Sequence, residues 1–346
     1  MSEKKQRTAI VTGSAGFIGF HVCEVLLQEG WRVVGIDCLS DYYDVSLKQQ
    51  REQILNQYVN FRSVHERIET EHVLKQIFKE EIPNVVIHLA AQAGVRYSIE
   101  NPRSYLESNI VGTFELLEAA RAYPPEHMLL ASTSSAYGAN EDMPFTETDK
   151  ADHQMSFYAA TKKSTESMAH SYAHLFKLPV TMFRFFTVYG PWGRPDMALY
   201  KFAEAIVNGK PIDVFNHGNM TRDFTYIGDL VHSIKLLIEA IANEKTLDNI
   251  KNDSISPVAP FRVVNIGNST GVKLLSFIEA LEQDLGIEAE KNMLPMQAGD
   301  VACTLADCTL LKQLTGYHPH TDYRSGVSKF VQWFKEYHQL MKDRKV

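Results

Sequence analysis

Residues 12–19 read TGSAGFIG and follow directly on an apolar run, TAIVT at 8–12. A strand that ends in glycines at 13, 16 and 19 and passes into an amphipathic stretch is a strand–turn–helix unit. Glycine there permits the tight turn and lets the backbone approach a diphosphate closely. The opening helix then offers unpaired N–H groups to the anion. The spacing is G-x-x-G-x-x-G rather than GxGxxG, so the strand–turn–helix context carries the reading. Asp37 closes the next apolar run, 18 residues beyond Gly19. A carboxylate at that point accepts the adenosine ribose hydroxyls and repels a 2′-phosphate, which favours NAD over NADP.

Outward from this turn the pattern is βαβα. Apolar runs at 8–12, 32–36, 85–90, 128–132 and 180–185 predict strands, and 262–266 predicts one that joins the sheet late. Helical spacing falls at 17–29, 70–80, 104–122 and 157–175. Such alternation predicts a doubly wound parallel sheet of Rossmann type with helices on both faces. After Phe186 the chain turns to loops rich in Gly, Pro, Asn and Asp, at 189–195, 215–223 and 296–300. We read 1–186 as the NAD-binding Rossmann domain, with later additions around 229–268, and 187–346 as mainly a smaller C-terminal substrate-binding lobe. The polar stretch 249–260 (NIKNDSISPVAP) reads as a surface loop.

A chain of 346 residues suffices for two such lobes. Its net charge of −7 and its lack of a basic run argue against nucleic-acid binding. The polar start and the absence of any long apolar segment argue against a signal peptide and a membrane span. Cys23, Cys38, Cys303 and Cys308 show no CxxC or metal-ligand spacing, so free thiols in a reducing cytoplasm are expected and no metal.

Tyr158 and Lys162 stand i and i+4 on one predicted helix and share a face. A free phenol, with a pKa of about 10, is a poor base. A neighbouring ammonium and a positively charged nicotinamide both favour its phenolate, so Tyr158 is expected to exchange a proton with an alcohol. Thr133, in the stretch STSSAYG at 132–138, lies at a strand end about 25 residues earlier and offers a hydroxyl to the same oxygen.

With these marks, and with HLAAQAGVR (88–96), NPRSYLESNIVGT (101–113), RFFTVYGPWGRP (184–195), TRDFTYIGD (221–229), VVNIGN (263–268) and GDVACTLAD (299–307), the chain resembles the extended short-chain dehydrogenase/reductases. Within them it is similar to the nucleotide-sugar epimerases over nearly its whole length. DYYDVSLK (41–48), AAQAGVRYSIENP (90–102) and GRPDMA (193–198) look like the branch that acts on uronates. The resemblance implies C4 epimerisation of UDP-glucuronate to UDP-galacturonate through a 4-keto sugar, with tightly held NAD regenerated each cycle. It also implies a homodimer built on the 104–122 and 157–175 helices.

By the same resemblance Thr133, Tyr158 and Lys162 form the catalytic trio. Gly13, Gly16, Phe17, Ile18, Gly19, Asp37, Ala90, Asn109 and Lys162 contact the cofactor. Ser134, Ser135, Thr187, Arg194, Arg222 and Asp300 contact the UDP-sugar, with Arg222 on the diphosphate and Asp300 on the uridine ribose. A 4-keto uronate is a β-keto acid, so an epimerase must hold its carboxylate out of line with the ketone. Thr187 and Arg194 are the candidates for that clamp, with Arg96 second; the plainer reading of Arg194 is a loop ion pair with Asp196.

Departures from the pattern sharpen the choice. Thr187 replaces the asparagine of galactose epimerases. Ser134 and Ser135 stand where dehydratases and decarboxylases carry an acid, which disfavours elimination. Gln297 replaces an arginine frequent in relatives. Arg67 falls where an aspartate meets adenine, which puts those contacts in question. The rival readings are a UDP-glucuronate decarboxylase, a 4-epimerase of neutral UDP-hexoses, and a non-catalytic nucleotide sensor, the last opposed by the retained tyrosine and lysine.

Overall fold

The computed structural model describes residues 6–242, 250–297 and 299–343. Its centre is a seven-stranded sheet. The strands are β1 (Thr8–Thr12), β2 (Arg32–Ile36), β3 (Phe61–Val64), β4 (Val85–His88), β5 (His127–Ala131), β6 (Val180–Phe185) and, late in the chain, β10 (Phe261–Ile266). Their order is β3-β2-β1-β4-β5-β6-β10 and every pairing is parallel. Parallel strands covered on both sides need apolar residues on both faces, which is why β1, β4 and β5 read as unbroken apolar runs. One face packs Val11, Val33, Ile87 and Leu129 under the Phe17–Gln28 and Ile227–Leu237 helices. The other packs Ile10, Val34, Val86 and Leu130 under the Val73–Glu81, Gly112–Ala122 and Phe157–Phe176 helices.

The chain lays β2 and β3 on one side of β1 and β4 to β6 on the other. The carboxyl ends of β1 and β4 therefore flank the switch point, where an open α/β sheet has its crevice. Gly13 follows β1 there, with φ at +75°. A Cβ on it would lie 2.8 Å from the Ala90 nitrogen, just past β4, so the close approach alone excludes any side chain.

The remaining strands build the second core. They are β7 (Thr187–Tyr189), β8 (Ile212–Val214), β9 (Thr221–Tyr226), β11 (Gly271–Lys273) and β12 (Lys291–Met293), arranged as β11-β9-β7 and β12-β8. Their packing partners are the Ala198–Val207, Leu274–Leu285 and Tyr323–Asp343 helices, with Phe224 stacked on Phe277 at 3.9 Å.

Four features depart from the sequence reading. A helix spans Val45–Leu55, capped by Asp44, whose carboxylate accepts from the Ser46 N–H at 2.9 Å. β3 adds an edge strand. The expected 104–122 helix is broken into Pro102–Tyr105, a π-helical turn Leu106–Val111, and Gly112–Ala122. The 250–260 part of the expected surface loop is tied to β10: the buried Asp253 side chain takes Arg262 through two hydrogen bonds of 2.8 Å. Asn249 lies outside the described residues.

Candidate active site

Tyr158 and Lys162 leave the buried face of the Phe157–Phe176 helix, which Ser156 caps by accepting from the Ala159 N–H at 3.1 Å. Thr133 follows β5, and its hydroxyl accepts from the Ser135 N–H at 3.2 Å. Ser134 and Ser135 are half-buried beside it. Burial raises the Tyr158 phenol above its ordinary value; hydrogen bonding with Thr133 and the charge of Arg194 pull it back. This differs from the sequence expectation, because Lys162 is not among the groups that shift it. Lys162 is itself lowered to about 8 by burial, against the raising influence of Glu166.

Lys162 is 3% exposed as a residue. An ammonium with three N–H bonds on the buried face of this helix fits a cofactor that would bring ribose hydroxyls to it. The glycine turn fits as well. Asp37 accepts from the Ala15 N–H at 3.0 Å and the Leu39 N–H at 2.9 Å, each oxygen keeping a lone pair for a ribose hydroxyl. Phe17 and Ile18 open the helix behind the turn.

Asn109 sits on the π-helical turn, and the wider turn lets its amide reach two elements at once. It accepts from the Gln92 N–H at 2.8 Å and donates to the Thr161 hydroxyl at 3.0 Å. Thr161 in turn donates to the Tyr158 carbonyl at 2.8 Å. Asn109 thus ties the segment after β4 to the helix that carries the tyrosine.

Beneath the trio lies a buried ion pair that the sequence reading missed. Glu166, one turn after Lys162, accepts from Arg184 Nε at 2.8 Å and Nη2 at 2.7 Å, and from the Ser132 hydroxyl at 2.6 Å. Burial alone would raise this carboxyl, but Arg184 outweighs it and the group settles at about 2. Three elements are locked together: β5, β6 and the catalytic helix. His88, at the end of β4, is held neutral between Thr12 (2.7 Å) and Thr113 (3.2 Å), its pKa lowered to about 3 by burial and by the Lys162 charge. His88 and Arg184 lie in the motifs quoted above, yet only their partners reveal what they do.

Beyond β6, Thr187 and Arg194 line one crevice together with Phe17 from the helix that follows the glycine turn. Arg194 pairs with Asp196, so the plain reading of this arginine is realised; its charge nevertheless reaches Tyr158. Arg222 and Asp300 meet each other at 2.8 Å. The acids of the 221–229 motif are braces: Asp223 accepts from the Asn268, Ser269 and Ala306 N–H groups, and Asp229 from Tyr317, His320 and Thr321. Arg96 lies over the Phe215 ring, 4.9 Å from its centroid, and is not among the residues lining the crevice. Arg67 pairs with Glu69. The Gln297 carbonyl oxygen is buried without a partner.

Comparison with known proteins adds an independent line. A family model described as GDP-mannose 4,6 dehydratase matches residues 10–330. A protein of Rhizobium meliloti (strain 1021), named as a probable UDP-glucuronate 4-epimerase, is 53% identical over 329 residues, covering 94% of this chain and 96% of its own. UDP-glucuronate 4-epimerase 4 of Arabidopsis thaliana is 43% identical over 336 residues, 96% of this chain and 76% of that protein. The crystal structure of UDP-glucuronic acid 4-epimerase from Bacillus cereus, in complex with UDP-glucuronic acid and NAD, superposes with a TM-score of 0.85 at 33% identity. It covers 95% of this chain and 99% of its own.

Proposed function

We propose the following for a chain that belongs to the extended short-chain dehydrogenase/reductases, in the family that the GDP-mannose 4,6 dehydratase model defines: it is an isomerase that interconverts UDP-glucuronate and UDP-galacturonate at C4, using NAD. The observation that carries this is the buried Tyr158–Lys162 pair on one helix face, together with the glycine turn at the switch point of the sheet.

Bound NAD supplies a reversible acceptor for the C4 hydrogen. The chain's residues do the rest. Tyr158, with Thr133 hydrogen-bonded to it, takes the proton of the C4 hydroxyl and later returns it to the opposite face. Lys162 holds the nicotinamide ribose. Arg222 and Asp300 hold the diphosphate and uridine ribose as a fixed pivot. The 4-keto sugar turns on that pivot. Arginine suits the diphosphate because its fork donates two parallel hydrogen bonds. Thr187 and Arg194 face the C5 carboxylate and keep it out of line with the ketone. Ser134 and Ser135, where an elimination would need an acid, offer only hydroxyls to the sugar. The family model's name notwithstanding, these side chains favour epimerisation over dehydration.

The division of labour follows the two cores, the seven-stranded sheet holding NAD and the later strands holding the UDP-sugar. We further propose a homodimer. Leu106, Val111 and Phe114 are exposed on the 102–122 helical run, and Phe157, Leu175 and Phe176 on the helix beside it, which supports a shared apolar face. No described helix is long and apolar enough to cross a membrane. Four free cysteines favour a cytoplasmic home.

The test is one incubation of purified protein with UDP-glucuronate and no added NAD, followed by NMR of the nucleotide sugars. UDP-galacturonate as the main product is expected. A UDP-pentose as the main product would mean decarboxylation, and turnover of neutral UDP-hexoses alone would mean a hexose epimerase; either result overturns the uronate reading.

A further inference from the structure

Arg51, on the Val45–Leu55 helix, is 0% exposed and joins the two ends of the site. Its Nη1 donates to the Ala15 carbonyl in the glycine turn at 2.8 Å and to the Tyr43 hydroxyl at 2.9 Å. Its Nη2 donates to the Trp192 carbonyl at 2.6 Å, and the Gly193 carbonyl lies at 3.5 Å. Gly193 immediately precedes Arg194. No carboxylate forms an ion pair with Arg51 among the described residues. A buried cation balanced only by carbonyl and hydroxyl dipoles is costly. Its position accounts for it: a planar fork serves two loops at once, which a single ammonium nitrogen cannot do as well.

Neighbouring contacts point the same way. His21, on the helix that the glycine turn opens, hydrogen-bonds the Pro191 carbonyl at 3.0 Å. Burial lowers His21 to about 4, with the Arg51 charge adding to it, so the ring is neutral and its Nε2–H donates. Tyr42, from the segment before the Arg51 helix, donates to Asp196 at 3.3 Å, and Asp196 holds Arg194. Lys48 pins Ser40 at 2.8 Å and lies over the Tyr43 ring, 4.6 Å from its centroid. The carbonyls of Pro191 and Trp192, and the partner of Arg194, are therefore all gripped from the cofactor side.

We propose that Arg51 is a positioning residue for the uronate: it sets the offset between the glycine turn and the 190–196 loop, and so the aim of Arg194 at the sugar carboxylate. This rests on the uronate reading above. Its consequence is the fate of the 4-keto uronate. While the loop is locked, the C5–carboxyl bond stays out of line with the ketone. Once the loop loosens, that bond aligns and breaks. Its electron pair enters the ketone as an enolate, CO2 leaves, and C5 takes up a proton; the hydride taken from C4 then stays with the cofactor as the 4-keto pentose departs, or returns to C4 to give a UDP-pentose.

Arg51→Lys tests this, because lysine keeps the charge but brings one nitrogen where two are needed. Three quantities are measured beside wild type: the ratio of decarboxylated product (UDP-4-keto-pentose plus UDP-pentose) to UDP-galacturonate by NMR, the KM for UDP-glucuronate, and NAD retained through gel filtration. The ratio and the KM are expected to rise about tenfold or more, with kcat falling less, as an ångström-scale misplacement would give. The ratio does not depend on how much enzyme is folded, so a merely structural role leaves it unmoved. A wild-type ratio and KM overturn the proposal, and so does a change in NAD retention alone. Should Arg51→Lys fail to fold, Tyr42→Phe carries the test. It removes only the hydrogen bond to Asp196 and is expected to raise the same ratio by a smaller factor; an unchanged ratio there overturns the proposal. A wild type that makes no epimer sinks the uronate reading and this inference together. A normal wild type beside an unaffected Arg51→Lys sinks this inference alone.

Discussion

Arg194 lies fork to fork with Asp196, two residues further along the same loop, with Nε 2.9 Å from Oδ1 and Nη2 bonded to Oδ2. Burial acts against both charges, and each charge outweighs it for the other: the guanidinium is held above its ordinary range and the carboxyl below. Arg194 is also among the groups that lower the Tyr158 phenol, so the paired guanidinium lies close enough to act on it. Arg194→Ala is therefore expected to lower kcat/KM for UDP-glucuronate about 10- to 100-fold and to release decarboxylated product. Steady-state kinetics with NMR of the products checks this, and wild-type kinetics would remove Arg194 from the carboxylate clamp.

Tyr158→Phe removes one oxygen from the catalytic helix and leaves the glycine turn and Lys162 in place. Turnover should fall by about 10³-fold, the range a positioned acid–base group supplies, while NAD stays with the protein through gel filtration. Loss of the cofactor in step with activity would assign the tyrosine a binding role instead.

The Glu166–Arg184 pair makes a pH prediction. The Glu166 carboxyl is held at about 2, below its ordinary 4.5, chiefly because Arg184 outweighs burial. A carboxyl depressed by folding contributes stability above its unfolded pKa and loses it as pH falls toward the folded value. Unfolding free energy should thus decline through this group between about pH 4.5 and 2. Glu166→Gln, followed by urea unfolding at several pH values, should flatten that slope. Glu166→Ala strands a buried guanidinium and is expected to cost about 3–5 kcal/mol at neutral pH.

Arg222 is the cation nearest Asp300, and its side chain is 14% exposed. Arg222→Ala should raise the KM for the UDP-sugar about tenfold or more and change kcat less, because a pivot on the diphosphate binds ground and transition states alike. Equal losses in kcat and kcat/KM would instead place Arg222 at the reacting carbon.

A Cβ on Gly19 would stand 2.0 Å from the Gly13 carbonyl oxygen, inside the cofactor turn. Gly19→Ala must move backbone rather than a flexible side chain. NAD retention is expected to fall before the sheet is disturbed, so the cofactor content of the purified variant should drop sharply beside near-native circular dichroism. Full retention would show that the turn yields without cost to the site.

Much of this was legible along the chain. β1, β2 and β6 begin and end where their apolar runs do. A strand covered on both faces has no polar side to blur the pattern. The Val45–Leu55 helix was not legible, although its inner positions Leu47, Lys48, Arg51, Glu52 and Leu55 have helical spacing. Three of them are charged, so no apolar stripe marks the face. β3 escaped notice because an edge strand is only half-buried. The 250–260 segment reads as polar and exposed until Asp253 is seen to meet Arg262 beneath it.

The sequence alone determined the parts whose geometry is local. A glycine turn between a strand and a helix, and a tyrosine and lysine four apart on one helix, need no distant partner to define them. The tertiary structure decided what depends on groups far apart in the chain: Arg51 between Ala15 and Trp192, Glu166 on Arg184, Arg222 beside Asp300, and Arg194 close enough to act on Tyr158. A charged residue carries the same letter on a solvated face and at the centre of a site. Its desolvation and its partners decide which it becomes, and both exist only once the chain has folded.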